Sequence, residues 1–144
     1  MSEDHWIWQC EHVIPSDTAS GRRILGEVLG QLQSRHWRAH DVFGVHLAME
    51  EALVNAIQHG NRFDEDKQVR IACRIAPELV HIEITDEGDG FDPTAVPDPT
   101  ELTHLAAPGG RGVMLMKAFM TRVQYNASGN RVILEKERGD SRNP

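Results

Sequence analysis

The chain has 144 residues and a formal net charge of −7, from 15 Lys plus Arg against 22 Asp plus Glu. With 40% apolar and 26% charged residues it can bury one ordinary core, which excludes a disordered or fibrous chain and makes residues 1–144 one expected domain, with its core over about 6–136. The acidic balance excludes nucleic acid as a mainly electrostatic partner, and the lack of a membrane-length apolar run or signal-peptide layout in Met1–His5 makes a cytoplasmic protein, with no membrane contact, the expectation.

Trp6 to Ile14 alternates loosely between bulky and polar residues as far as Pro15 and predicts a strand. Ile24, Leu25, Val28, Leu29 and Leu32 then recur at helical spacing, predicting an amphipathic helix from about Ser16 to Trp37. A second helix, capped by Asp41, runs through Val45, Ala48, Met49, Ala52, Leu53 and Ala56 to a stop at Gly60-Asn61; it is the most apolar and so the expected central helix. Val69–Ile75 and Leu79–Thr85 alternate with period two around Ala76-Pro77-Glu78 and predict an antiparallel hairpin. Gly88 to Gly112 holds five of the 12 glycines and four of the seven prolines, a length of loop that is usually functional. A third helix over Val113–Met120 and a closing hairpin, Val123–Asn126 with Arg131–Glu135, complete the order. Cys10 and Cys73 offer neither a disulfide framework nor a metal-ligand pair and are expected as buried thiols. Segregated hairpins and helices predict an α+β fold: a two-layer α/β sandwich, its sheet mostly antiparallel, with helices on one face.

Three clusters carry chemistry. On the central helix, Glu51, Asn55 and His59 stand at i, i+4 spacing and form one polar stripe. A carboxylate one turn from a carboxamide sets a general base beside an oxygen ligand for a hard cation, and magnesium suits such a site because it takes few protein oxygens. Directly after a strand comes Asp86-Glu87-Gly88-Asp89-Gly90, whose glycines let the backbone approach a ligand and whose Asp86 is placed to accept a hydrogen bond from an amine such as that of adenine. Gly109-Gly110-Arg111-Gly112 opens the third helix, where exposed amides and the helix dipole favour a polyphosphate and Arg111 adds charge. Taken singly, each also fits a structural role: a solvated stripe, a turn, a hinge. His36 and His40 lack a third ligand, and the acidic chain disfavours Trp6, Trp8 and Trp37 as a platform for single-stranded nucleic acid.

In combination and in this order, the clusters resemble the ATP-binding domain of the GHKL superfamily, with Glu51–His59 as its N box, Asp86–Gly90 and Gly110–Gly112 as its glycine boxes, and the Pro-rich segment as an ATP lid. At 144 residues the ATP-binding fold is expected to leave no room for a phosphoacceptor helix or a transducer domain. Among the branches it is similar to the anti-sigma-factor serine kinases of bacterial partner switching. That resemblance implies a protein serine kinase using ATP and Mg2+, a STAS-type antagonist as substrate, a sigma factor or other regulator as alternate target, and a homodimer built on the Trp6-Trp8 strand and first helix. It makes Glu51 the general base and Asn55 the metal ligand. Nucleotide contacts fall to Asn55, His59, Asp86, Gly88, Gly90, Gly110, Arg111 and Gly112. Three departures from the family pattern stand out: Val54 where a Thr is common, Pro108-Gly109 where an arginine can precede the second box, and Asn130-Arg131 after Gly129. They bear on catalytic rate more than on nucleotide binding. The alternatives are a nucleotide-dependent sequestering protein with little transfer and a GHKL ATPase acting through a partner chain.

Overall fold

The computed structural model describes residues 5–88 and 110–140. Its elements are β1 (Trp8–Pro15), α1 (Thr18–Ser34), α2 (Ala39–Val54) continued by a π-helical turn (Asn55–Gly60), β2 (Gln68–Ala76), β3 (Leu79–Thr85), α3 (Gly110–Phe119), β4 (Arg122–Tyr125) and β5 (Arg131–Glu137). The strands form one sheet in the order β1-β2-β3-β5-β4, with every pairing antiparallel.

Period two divides this sheet cleanly. Ile14, Val69, Ile71, Cys73, Ile75, Val80, Ile82, Ile84, Val132 and Leu134 are buried on one face, where Ile24, Leu25, Val28, Leu32, Val45, Ala48, Met49, Ala52 and Leu53 of the helices join them in a single core. The opposite face carries ion pairs between neighbouring strands: Arg70 with Glu11, Arg131 with Glu83, and His81 and Arg122 with Glu135. The α+β two-layer architecture expected from the order of elements is therefore present, and α2 is the central helix, packed against both α1 and α3.

Local chemistry explains where elements depart from the expected bounds. Pro15 lies inside β1, paired opposite Gln68, because an edge strand tolerates a residue with no N–H to donate. Helix α1 starts later than Ser16: Asp17 caps it by accepting from the Ser20 amide at 2.7 Å. It also ends before Trp37, which is buried beneath the Arg138 guanidinium, 5.4 Å from the ring centroid. Asp41 is not the cap of α2. It lies fully buried inside the first turn, where Oδ2 accepts from the Gly139 amide at 2.9 Å and ties the chain end to the helix. Cys73 is buried as expected, while Cys10, opposite it on β1, is only half-buried. Lys136 is completely buried, and its ammonium donates to the Phe119 carbonyl at 2.7 Å, closing the C-terminal end of α3. Among the described residues no helix is long and apolar enough to cross a membrane.

Candidate active site

The last turn of the central helix is where the regular pattern breaks. From Asn55 the helix widens, and the Asn61 amide donates to Ala56 at 2.8 Å, five residues back. Arg62 and Phe63 follow at φ of 52° and 56°, left-handed backbone that non-glycine residues rarely adopt. Asn61 holds this bend. It is buried, its Nδ2 donates to Ser16 Oγ at 2.9 Å and to the Gln68 carbonyl at 3.0 Å, and its Oδ1 accepts from the Glu87 amide at 2.8 Å. One carboxamide thus joins the end of β1, the start of β2 and the turn after β3.

The widened turn opens onto a cavity of about 480 Å³, a size suited to a nucleotide-sized ligand. Asn55, Gln58, His59, Gly60 and Arg62 line it from the helix side, Ile84 and Asp86 from β3, and Tyr125, Gly129, Asn130 and Val132 from the closing hairpin. Asp86 is buried at the end of β3 and accepts from the Gly88 amide at 2.8 Å. Burial raises its pKa above the ordinary 3.8, against the opposing pull of that amide and of the Lys67 charge. The approach here is so close that only glycine fits: a Cβ on Gly60 would stand 2.5 Å from the Asp86 carboxylate, and one on Gly88 would stand 2.0 Å from the Gly60 carbonyl oxygen. Burial also pushes the Tyr125 hydroxyl up to about 12, partly offset by the Asn55 carboxamide beside it.

At the other end, α3 begins at Gly110, so the second glycine segment forms its first turn instead of preceding it. A Cβ on Gly112 would stand 3.0 Å from Glu51 Oε2 and 3.3 Å from Asn55 Nδ2. Residues 112, 51 and 55, distant in sequence, thus meet. Gly90 and the segment 89–109, including Pro108 and Gly109 of the expected lid, lie outside the described residues, as does the side chain of Arg111.

Two departures from the family pattern acquire a physical reading. Val54 lines a small groove with Thr18, Arg22, Leu25 and Leu53 between α1 and α2, not the cavity. Asn130 lines the cavity and exchanges bonds with Asp86: its carbonyl accepts from the Asp86 amide at 2.9 Å and its Nδ2 donates to the Asp86 carbonyl at 3.3 Å. Sequence reasoning missed Asn61, Tyr125, Gln58 and Arg62. The Asn61-Arg62 step after Gly60 was the one available signal, since Asn tolerates turn geometry.

Residues 14–136 match the model of the family described as the histidine kinase-like ATPase domain. The chain is 32% identical to the serine/threonine-protein kinase BtrW of Bordetella bronchiseptica over 91 residues, 62% of this chain and 64% of that one. It is 28% identical to the serine-protein kinase RsbW of Bacillus subtilis over 121 residues, 78% and 76% of the two chains, and 30% identical to the anti-sigma F factor of Clostridium beijerinckii over 104 residues, 67% and 71%. The crystal structure of the RsbU and RsbW domains of Rv1364c from Mycobacterium tuberculosis has the same fold, with a TM-score of 0.61 at 13% identity over 91% of this chain and 32% of that one. The chain spans just under two thirds of the Bordetella relative and about a third of the Mycobacterium chain. A glycine-lined cavity between the central helix and the sheet, and a family match covering all but the ends, lead to one assignment: the chain belongs to the histidine kinase-like ATPase domain family.

Proposed function

We propose that this protein is a serine-protein kinase of the partner-switching type, using ATP to phosphorylate a STAS-type antagonist and alternately sequestering a sigma factor or a comparable regulator. The observation that carries the reading is the meeting of Gly112 with Glu51 and Asn55 beside a cavity that also contains Asp86. Binding and chemistry are thereby divided along one helix. Asp86, with its raised pKa, accepts from the adenine amine; Gly60 lines the cavity and Gly88 lets the turn after β3 close against it, so that both act in nucleotide binding, and His59 stands at the exposed wall. The first turn of α3, with Gly110 and Gly112, presents amides and the positive end of its dipole to the phosphates. Gly90 and Arg111 complete the proposed nucleotide contacts.

The donor set fits magnesium. The Asn55 carboxamide stands beside Gly112 and offers one oxygen there. With phosphate oxygens and waters, that one protein oxygen would hold magnesium, which would supply charge neutralisation to the phosphates. Glu51, one turn before Asn55, receives the proton of the attacking serine hydroxyl as the new O–P bond forms and the bond to the ADP oxygen breaks. Positioning and charge stabilisation carry most of such a transfer, so few protein groups suffice.

A homodimer is part of the proposal. Among the described residues β1 pairs only with β2, and Ile7 and Val13 at this edge are about half exposed, 50% and 49%. The test is incubation with γ-labelled ATP, magnesium and a STAS-domain protein. Label on an antagonist serine is expected, and Glu51→Ala abolishes it while leaving ATP affinity within about twofold. Label appearing only as free phosphate means an ATPase acting through a partner. Undiminished transfer by Glu51→Ala removes the assigned base.

A further inference from the structure

A second group of reactive side chains sits on β1, outside the cavity lining. Cys10 and His12 are alternate residues of this strand and so share its helix-facing side, and Glu27 reaches them from α1. The Cys10 sulfur, a ring nitrogen of His12 and a carboxylate oxygen of Glu27 all lie within 4.8 Å of one another. His12 Nε2 is shielded from solvent and has no hydrogen-bond partner. Its distance to Glu27 Oε2 is 3.7 Å, beyond a hydrogen bond. Ligands bound at 2.0–2.3 Å to a tetrahedral centre stand roughly 3.3–3.7 Å apart, so these two atoms already have the spacing of co-ligands.

We propose that Cys10, His12 and Glu27 form a binding site for a borderline divalent transition-metal ion, zinc, through one thiolate, one imidazole nitrogen and one carboxylate oxygen, with the fourth position left to water. A thiolate and an imidazole select against magnesium and calcium, which take oxygen donors. The His12 and Glu27 side chains are 36% and 42% exposed, which gives the ion a route in. Bound there, zinc would clamp the edge strand to α1, independently of any kinase activity.

Equilibrium dialysis of the reduced full-length chain against zinc, followed by metal analysis, should find one ion per chain. Cobalt(II) in its place should show thiolate-to-metal charge-transfer absorption that Cys10→Ser eliminates. Because His12 and Glu27 are partly exposed, His12→Gln and Glu27→Gln should keep the native circular dichroism and weaken zinc binding roughly tenfold or more. Cys73→Ser should leave binding in place. The proposal is overturned if no zinc is retained, if cobalt gives no thiolate band, or if retention survives both the His12 and Glu27 substitutions. It is equally overturned if binding requires Cys73 instead of His12, in which case the thiol pair is the ligand and His12 with Glu27 is an ion pair only.

Discussion

Asp86 concentrates two opposed demands in one carboxyl group. The native fold holds its pKa above the ordinary 3.8, so the folded chain binds this proton more tightly than the unfolded one. The stability tied to Asp86 is therefore present below pH 3.8 and is lost as pH rises through the raised folded value. With the proposed adenine contact, nucleotide affinity has the other sign, because only the ionised carboxylate accepts freely from an amine. Adenosine binding, measured by calorimetry so that phosphate protonation plays no part, should weaken as pH falls, beginning at a higher pH than a free aspartate would give. Asp86→Asn should weaken binding by roughly tenfold or more and flatten that pH profile; a variant with native affinity removes the adenine assignment. Asp86 was legible as a cavity residue because it ends a strand and precedes glycines. Its partner Asn130 was not, because the bond between them joins β3 to β5 across 44 residues.

At the scale of elements, the junction after the central helix does the positioning. The expected i, i+4 stripe brings Glu51 and Asn55 together beside Gly112, and the π-helical turn that begins at Asn55 puts Gln58 and His59 together on the cavity wall. Nothing in the local periodicity announces that widening. It is held by Asn61, whose three bonds reach other elements, and by the contact of Gly60 with Asp86. Removing the Asn61 side chain breaks all three bonds and strands buried partners, so Asn61→Ala should cost about 2–4 kcal/mol. Thermal unfolding should show this as a loss on the order of 10 °C, together with weaker ATP binding. Unchanged melting would mean that the bend is held by Gly60 and the backbone alone. The hairpins, by contrast, were readable from alternation alone, since both of their faces are set by burial against the helices on one side and ion pairs on the other.

For the whole molecule, the question the fold raises is what covers its edge. A strand at the end of a sheet, carrying Ile7 and Val13 at half exposure, is a surface on which a second chain can add. Light scattering should return about twice the 16.2 kDa chain mass. Ile7→Lys combined with Val13→Lys should return the monomer with the fold intact, and a wild-type monomer would remove the dimer. Which strand stands at the edge was not legible, because strand order depends on pairings such as Cys10 with Cys73 that span most of the chain. Buried Lys136 has a consequence of a different kind. The chain has three lysines, of which Lys117 is exposed, Lys67 is half-buried and Lys136 is sealed against the Phe119 carbonyl. An amine-acylating reagent followed by mass spectrometry should modify Lys117 at once and Lys136 only when α3 lifts from β5. Slower acylation of Lys136 with ATP present would make this one amine a built-in clock for the opening of the helix proposed to border the phosphates; an unchanged rate would show that nucleotide leaves that motion untouched.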